Sequence, residues 1–217
     1  EYRFVPAGPL VGEPEWRMFL ESLEDLDCDY LVASGSLPRG VPDDLYAAIA
    51  DLARRKGAKL VLDTSGSALR AGLARGVHLV KPSLGELETL VDRKLPDPAS
   101  QEQAARELIG SGVAELVALT LGRDGALLAT SQGTLRLAAP DVVAKSAVGA
   151  GDSFAAAMTL GLAQGRDSED AFAYGVAAGA AAFNPIGSLP NCLIASLRIL
   201  VSGTVTESLE IYSRTYN

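Results

Sequence analysis

Tyr30-Leu31-Val32-Ala33, then Ser34-Gly35-Ser36-Leu37-Pro38-Arg39-Gly40-Val41-Pro42, then the segment from Asp43 to Lys56, and after Gly57 the run Lys59-Leu60-Val61-Leu62-Asp63 together decide the fold. Neither apolar run alternates with polar residues, as a half-exposed strand would; a strand that is apolar on both sides is covered on both faces. Asp43 is placed to cap the intervening helix and Gly57 to end it. Strand, helix, strand is a βαβ unit, whose crossover returns the chain to the same end of the sheet and makes the two strands parallel.

The pattern extends in both directions from this unit. Upstream, Trp16, Phe19, Leu20, Leu23 and Leu26 recur at three- and four-residue spacing, which predicts a helix from Glu13 to Leu26 with one buried face, and Glu1 to Val5 alternates like a strand. Downstream come a short helix near Ala68 to Ala74, a strand from His78 to Val80, a helix from Leu84 to Val91, a Pro-rich link from Leu95 to Pro98, a helix from Ser100 to Gly110 and a strand from Leu116 to Thr120. Strands alternating with helices predict an α/β domain with a mostly parallel sheet between two helical layers. Ala126 to Thr130 and Thr134 to Ala138, split by Ser131-Gln132-Gly133, read as an antiparallel hairpin. Ser153 to Ala163 and Ser168 to Ala182 are Ala-rich helices able to pack closely. From residue 183 to 217 the only charges are Arg198, Glu207, Glu210 and Arg214 and no helical period emerges, so residues 1–182 are expected to form the domain and 183–217 an atypical tail.

A net charge of −8 over 217 residues excludes the basic face that non-specific nucleic-acid binding needs. No apolar run reaches the roughly 18 residues of a membrane span, and no basic segment precedes an apolar one at the start. Cys28 and Cys192 are far apart and lack a Cys or His neighbour at metal spacing, which predicts reduced thiols in a cytoplasmic protein. The lone histidine, His78, lies in an apolar strand and is expected to be structural, as is Trp16.

In an open parallel sheet, ligands bind beyond the carboxyl ends of the strands. The chemically notable residues fall there: Ser34 to Ser36, Asp63, Lys81 to Glu86, Thr120 to Gly125 and Gly149 to Asp152. In Val148-Gly149-Ala150-Gly151-Asp152-Ser153 two glycines turn the chain into a helix whose N-terminal amides make an anion site. Asp152 there reads either as a base beside a phosphate in transfer or as a plain helix N-cap. Lys81-Pro82-Ser83-Leu84-Gly85-Glu86 combines a cation with Ser-x-x-Glu, which is a capping box as well as a candidate metal group. Thr120 to Gly125 is a phosphate-loop candidate and equally a Gly-rich turn into the hairpin. A dinucleotide-binding oxidoreductase is disfavoured, because no Gly-x-Gly-x-x-Gly follows the first strand and no acidic residue ends a strand after Gly151.

Gly35-Ser36-Leu37-Pro38, Val80-Lys81-Pro82, Leu121-Gly122-Arg123-Asp124-Gly125-Ala126, Val148 to Ser153 and Gly175-Val176-Ala177-Ala178-Gly179 resemble the ribokinase-like PfkB carbohydrate kinases. Tyr2-Arg3-Phe4-Val5 with Pro9, and Asp63-Thr64-Ser65-Gly66 with Ala68-Leu69, are similar to their hexose-phosphate branch of phosphofructokinases and tagatose-phosphate kinases. The resemblance implies a three-layer α/β/α sandwich and ATP-dependent phosphorylation of a hexose phosphate, with fructose 6-phosphate foremost. It implies Asp152 as the general base, also touching substrate, and the amides of Gly149, Ala150 and Gly151 as the anion hole. Lys81, Ser83, Thr120, Gly122, Gly125, Ser146 and Val148 would border the nucleotide, the last two also offering backbone ligands to a monovalent cation such as K+. Gly179 would pass beside the adenine, although close helix packing also explains it. Ser36 would contact the sugar phosphate, unless it only forms the turn.

Glu86 would organise Mg2+ through waters, but Ser83 stands where the family has Asn, and its shorter reach weakens that implication. The family also carries N-terminal strands, a sugar-binding motif and a β lid through which its members dimerise; none of these is found in the chain, which raises the alternative of a nucleotide-binding remnant without catalysis. The lost strands would expose an apolar sheet edge, with a poorly soluble or partner-dependent protein expected. Gly187-Ser188 roughly fits the family's closing Gly-Thr, and the residues beyond do not continue its pattern.

Overall fold

The computed structural model describes residues 8–140 and 148–182. The elements run α1 (Glu13–Glu24), β1 (Tyr30–Ser34), α2 (Leu45–Lys56), β2 (Lys59–Asp63), α3 (Gly66–Leu73), β3 (Val77–Val80), α4 (Leu84–Val91), α5 (Pro98–Gly110), β4 (Ala114–Thr120), β5 (Ala126–Thr130), β6 (Gly133–Leu137), α6 (Ala150–Ala163) and α7 (Ser168–Ala182). The strands form one six-stranded sheet in the order β1-β2-β3-β4-β5-β6. β1 to β4 are parallel, with Leu31 opposite Leu60, Leu62 opposite Val80 and Val80 opposite Val117. β5 and β6 are antiparallel, added as the expected hairpin.

Alternate residues of the strands feed two cores. Leu31, Ala33, Leu60, Leu62, Val80, Val117 and Leu119 pack with Tyr46 and Ile49 of α2, Leu69 of α3, Leu87 of α4 and Ala104 of α5. On the opposite face Tyr30, Val61, Leu79, Leu116, Ala118 and Leu128 meet Phe154 and Met158 of α6 and Phe172 and Val176 of α7. This is a three-layer sandwich, and it explains the unbroken apolar runs: Val61 and Leu62 are both fully buried because each faces a different helical layer. Full burial of one such side chain contributes about 1.5–3 kcal/mol.

Several boundaries differ from expectation for local reasons. α2 starts at Leu45 after Asp44, and Asp44 makes no side-chain cap, so Asp43 lies one residue outside the cap. α5 begins at Pro98, because Asp97 accepts from the Ser100 amide at 2.8 Å and Ser100 Oγ accepts from the Asp97 amide at 3.2 Å. The apolar face of α1 is only partly covered: Leu23 is buried, Trp16, Leu20 and Leu26 are half-buried, and Phe19 is 36% exposed. No helix among the described residues is long and apolar enough to cross a membrane. The expected strand at residues 1–5 and the tail at 183–217, with Cys192, lie outside the described residues.

Candidate active site

The approach to α6 is set by Gly149, the N-cap residue, at φ 82°, ψ −4°. That left-handed conformation costs glycine little and other residues more, and it admits the chain directly into the helix at Ala150. Helix formation thus begins before Asp152, not after it. Ser153 N–H already donates to the Gly149 carbonyl at 2.8 Å. The amides of Ala150, Gly151 and Asp152 belong to the first turn, where no helix carbonyl is available to them. Asp152 is the third helical residue and is exposed, so the N-cap explanation for it does not hold.

Facing this turn is a buried ion pair between Lys81, expected beside the nucleotide, and Asp63, a pairing that sequence reasoning did not make. Parallel pairing of β2 and β3 aligns Leu62 with Val80, so the next residues, Asp63 and Lys81, emerge side by side. Lys81 Nζ lies 3.0 Å from Asp63 Oδ1, and the two side chains are 8% and 15% exposed. A methyl group placed on Gly151 would lie 3.3 Å from the same Nζ, so the ammonium sits against the first turn of α6. Burial pushes the Asp63 carboxyl above its ordinary range; Lys81 pulls it back, and the nearby charges of Asp152 and Glu86 push it up further. The Lys81 ammonium and the first-turn amides of α6 therefore lie together, with Asp63 paired to the ammonium and the charges of Asp152 and Glu86 nearby, an arrangement able to hold an anion beside a base. An acid at the end of β2 and a lysine just after β3 were visible in the sequence, but their pairing depends on the strand register.

Ser83 caps α4: its amide donates to Glu86 Oε2 at 2.7 Å, and the Glu86 amide donates to Ser83 Oγ at 3.4 Å. The capping-box reading is realised, and it engages one Glu86 carboxylate oxygen. The chain then crosses to β4, where the Thr120 amide and hydroxyl both donate to the Pro82 carbonyl, at 2.9 and 3.3 Å. Gly122 to Asp124 form one 3-10 turn. Gly125 closes it at φ 91°, where an added methyl would stand 2.0 Å from the Leu137 carbonyl oxygen; no larger residue fits without moving the hairpin. Ser83, Thr120, Gly122, Gly125, Ala150, Gly151 and Gly179 line one cavity of about 270 Å³, completed by the apolar Ala126, Ala139, Phe154, Val176 and Ala180. Ser83 and Thr120 give the lining its polar side chains, and Ala150 and Gly151 bring the first turn of α6 to it. Gly179 also stands where a methyl would be 3.2 Å from the Ala150 carbonyl, so close packing of α6 on α7 and the cavity wall share this residue.

Ser36 does not line that cavity; it is exposed on the turn after β1, whose Gly35 amide donates to the Asp63 carbonyl at 2.9 Å. Val148 precedes α6 and is 67% exposed, while Ser146 lies outside the described residues. Among the described residues no group of three or more His, Cys, Asp or Glu side chains is arranged to hold a metal alone. A cation bound jointly by one or two carboxylates and phosphate oxygens fits the donor set better. His78 bonds Glu115 at 2.8 Å and meets Tyr30 edge-on, in the structural role expected, and Cys28 is a buried free thiol.

Comparison with known proteins bears on this geometry. The chain is 41% identical over 184 residues to the ATP-dependent 6-phosphofructokinase isozyme 2 of Escherichia coli, covering 84% of this chain and 60% of that protein. It is 42% identical over 138 residues to a 1-phosphofructokinase of Rhodobacter capsulatus, covering 62% of this chain and 43% of the relative. The crystal structure of phosphofructokinase-2 from Escherichia coli in complex with potassium superposes with a TM-score of 0.81 at 41% identity, over 86% of this chain and 61% of that one. The chain thus spans at most about three-fifths of the length of these relatives. The family model for pfkB carbohydrate kinases matches residues 1–191, and the protein belongs to that family.

Proposed function

We propose that this chain carries the nucleotide-binding and catalytic part of a sugar-phosphate kinase that transfers the γ-phosphate of ATP to a hydroxyl of a hexose phosphate, with fructose 6-phosphate as first candidate. The observation that carries the reading is the meeting of the first turn of α6, the Lys81 ammonium and the cavity that continues from them. The apolar lining residues Phe154, Val176 and Ala180 suit a purine, and the first turn of α6 with Ser83 and Thr120 suits its phosphates. First-turn amides and Lys81 hold charge as it spreads over the phosphoryl oxygens, and Asp152 takes the proton of the attacking hydroxyl. Ser36 holds the phosphate already on the sugar. Mg2+ would neutralise phosphate charge when bound, with Glu86 the nearest candidate to orient its waters. A K+ beside the backbone of Val148 is part of the same reading, as are a cytoplasmic setting and assembly with further copies.

The test is ATP-dependent turnover of fructose 6-phosphate, with fructose 1-phosphate and tagatose 6-phosphate alongside, in the parent chain and in Asp152→Asn. Turnover abolished by the substitution supports the proposal. One second reading has a specific observation behind it: Glu86 is held by its own helix cap, as expected of a chain that binds nucleotide without transferring phosphate. ATP binding with no turnover on any of the three sugars would favour it.

A further inference from the structure

We propose that Tyr46 and Thr64 are positioning residues for Ser36, holding the turn that carries its hydroxyl to the sugar phosphate; this rests on the role given to Ser36 above. The chain leaves the sheet at Gly35, whose carbonyl accepts two hydrogen bonds, from Tyr46 Oη and Thr64 Oγ1, both at 2.8 Å. Its amide donates to the Asp63 carbonyl at 2.9 Å. Two donors fill both lone pairs of one carbonyl oxygen. The Gly35 carbonyl and the Ser36 amide and Cα lie in one planar unit, so fixing that oxygen also fixes where Ser36 begins.

Both donors are only 6% exposed, Tyr46 in the first turn of α2 and Thr64 just after β2, whereas Ser36 itself is exposed. Phe and Val would fill the same core space without the cost of burying hydroxyls. What the hydroxyls add is a fixed place for one peptide on an otherwise exposed turn. Burial pushes the Tyr46 phenol up, which keeps it a donor across the neutral range. The far side of the turn is tied separately, through the Val11 amide to the Arg39 carbonyl at 2.8 Å. Asp63 and Thr64 are consecutive: the first holds Lys81 on the phosphate-donor side, the second holds Gly35 on the acceptor side. The spacing between donor and acceptor sites is thereby set at the end of one strand.

The experiment titrates fructose 6-phosphate and ATP separately, by calorimetry, into the parent, Ser36→Ala, the double variant Tyr46→Phe/Thr64→Val, and the triple combination. Removing the clamp is expected to weaken fructose 6-phosphate binding about fivefold or more while ATP affinity stays within about twofold, because orientation and not the ATP cavity is disturbed. Adding Ser36→Ala to the double variant is expected to cost little more. Unchanged sugar-phosphate affinity in the double variant, a parallel loss of ATP affinity, a fully additive effect of Ser36→Ala, or a parent that does not bind fructose 6-phosphate would each overturn the proposal. Turnover is read separately. A parent that shows the binding pattern but transfers no phosphate leaves the positioning role standing and removes the kinase reading; turnover with an unresponsive double variant removes only the positioning role.

Discussion

Asp152 has a place that helix formation alone does not require. Gly149 is the N-cap of α6 and no side chain caps the helix, so the Asp152 carboxylate is not taken up by the cap. Asp152→Asn keeps the shape and removes the proposed base; kcat with fructose 6-phosphate is expected to fall about 10²- to 10⁴-fold with the KM for ATP little changed. Initial rates at varied ATP check this, and a raised KM at constant kcat would assign Asp152 to binding instead. Asp63 makes a different kind of prediction. Its carboxyl is held above the ordinary 3.8 by burial and by the charges of Asp152 and Glu86, in spite of Lys81. A pKa raised in the folded state means that the folded chain binds this proton more tightly than the unfolded one. The contribution to stability is then complete below the ordinary value and is lost as pH rises through the folded one. In Asp63→Asn this dependence is absent, so the parent's Tm relative to the variant is expected to decline as pH rises above the ordinary carboxylate range. A parent advantage that grew with pH would show that the ion pair with Lys81 outweighs burial.

At the scale of elements, the start of α4 serves two readings that a pair of substitutions separates. Glu86→Gln keeps an oxygen for the Ser83 amide and loses only the charge, whereas Glu86→Ala loses that acceptor and keeps only the bond from its own amide to the Ser83 hydroxyl. The alanine variant, which leaves the Ser83 amide without its acceptor, is expected to lose about 0.5–1.5 kcal/mol of stability and the glutamine variant much less. If Glu86 also orients Mg2+, both variants need more Mg2+ for half-maximal rate; a normal Mg2+ dependence in Glu86→Gln would make the residue a cap and nothing more. Elements were legible in the sequence where burial leaves a pattern. Tyr30 to Ala33 and Lys59 to Leu62 mark β1 and β2 to within a residue, because strands covered on both faces can hold little else. Helix starts were less legible, since Gly149 caps through its backbone conformation and leaves no side-chain signal. At α5, Ser100 plays the returning part in the box that Glu or Gln more often takes. The amide-rich turn of α6 and the Ser83 box could be read as local motifs. The Asp63–Lys81 pair and the clamp on Gly35 could not, because each joins segments whose alignment depends on strand register and on where α2 packs.

For the whole molecule, a net charge of −8 means that any polyphosphate is drawn in by local donors against an unfavourable general field. Those donors sit on separate parts of the fold: the cavity is lined from Ser83, the N-cap of α4, from Thr120 and the turn before β5, and from α6 and α7. α6 and α7 cover one face of the sheet, while α4 covers the other. A ligand filling the cavity therefore ties the two helical layers together at the carboxyl ends of the strands, and its binding energy adds to the stability of the whole chain, not to one loop. Saturation at a hundred times Kd adds about 2.7 kcal/mol, which for a chain of this size corresponds to a rise in Tm of about 5–10 °C. Mg·ATP is expected to produce a rise of that order in a thermal melt, and EDTA with the same ATP a smaller one, because the phosphate charge is then met by Lys81 and the amides alone. Lys81→Met should lessen the rise further, whereas Asp152→Asn should keep it, since removing a negative charge beside the phosphates cannot weaken their binding. A melt that ignores ATP with and without Mg2+ would contradict the nucleotide reading whatever the sugar assays return. A rise lost in Asp152→Asn as well as in Lys81→Met would place the carboxylate among the groups that bind the nucleotide and take from it the role of base alone.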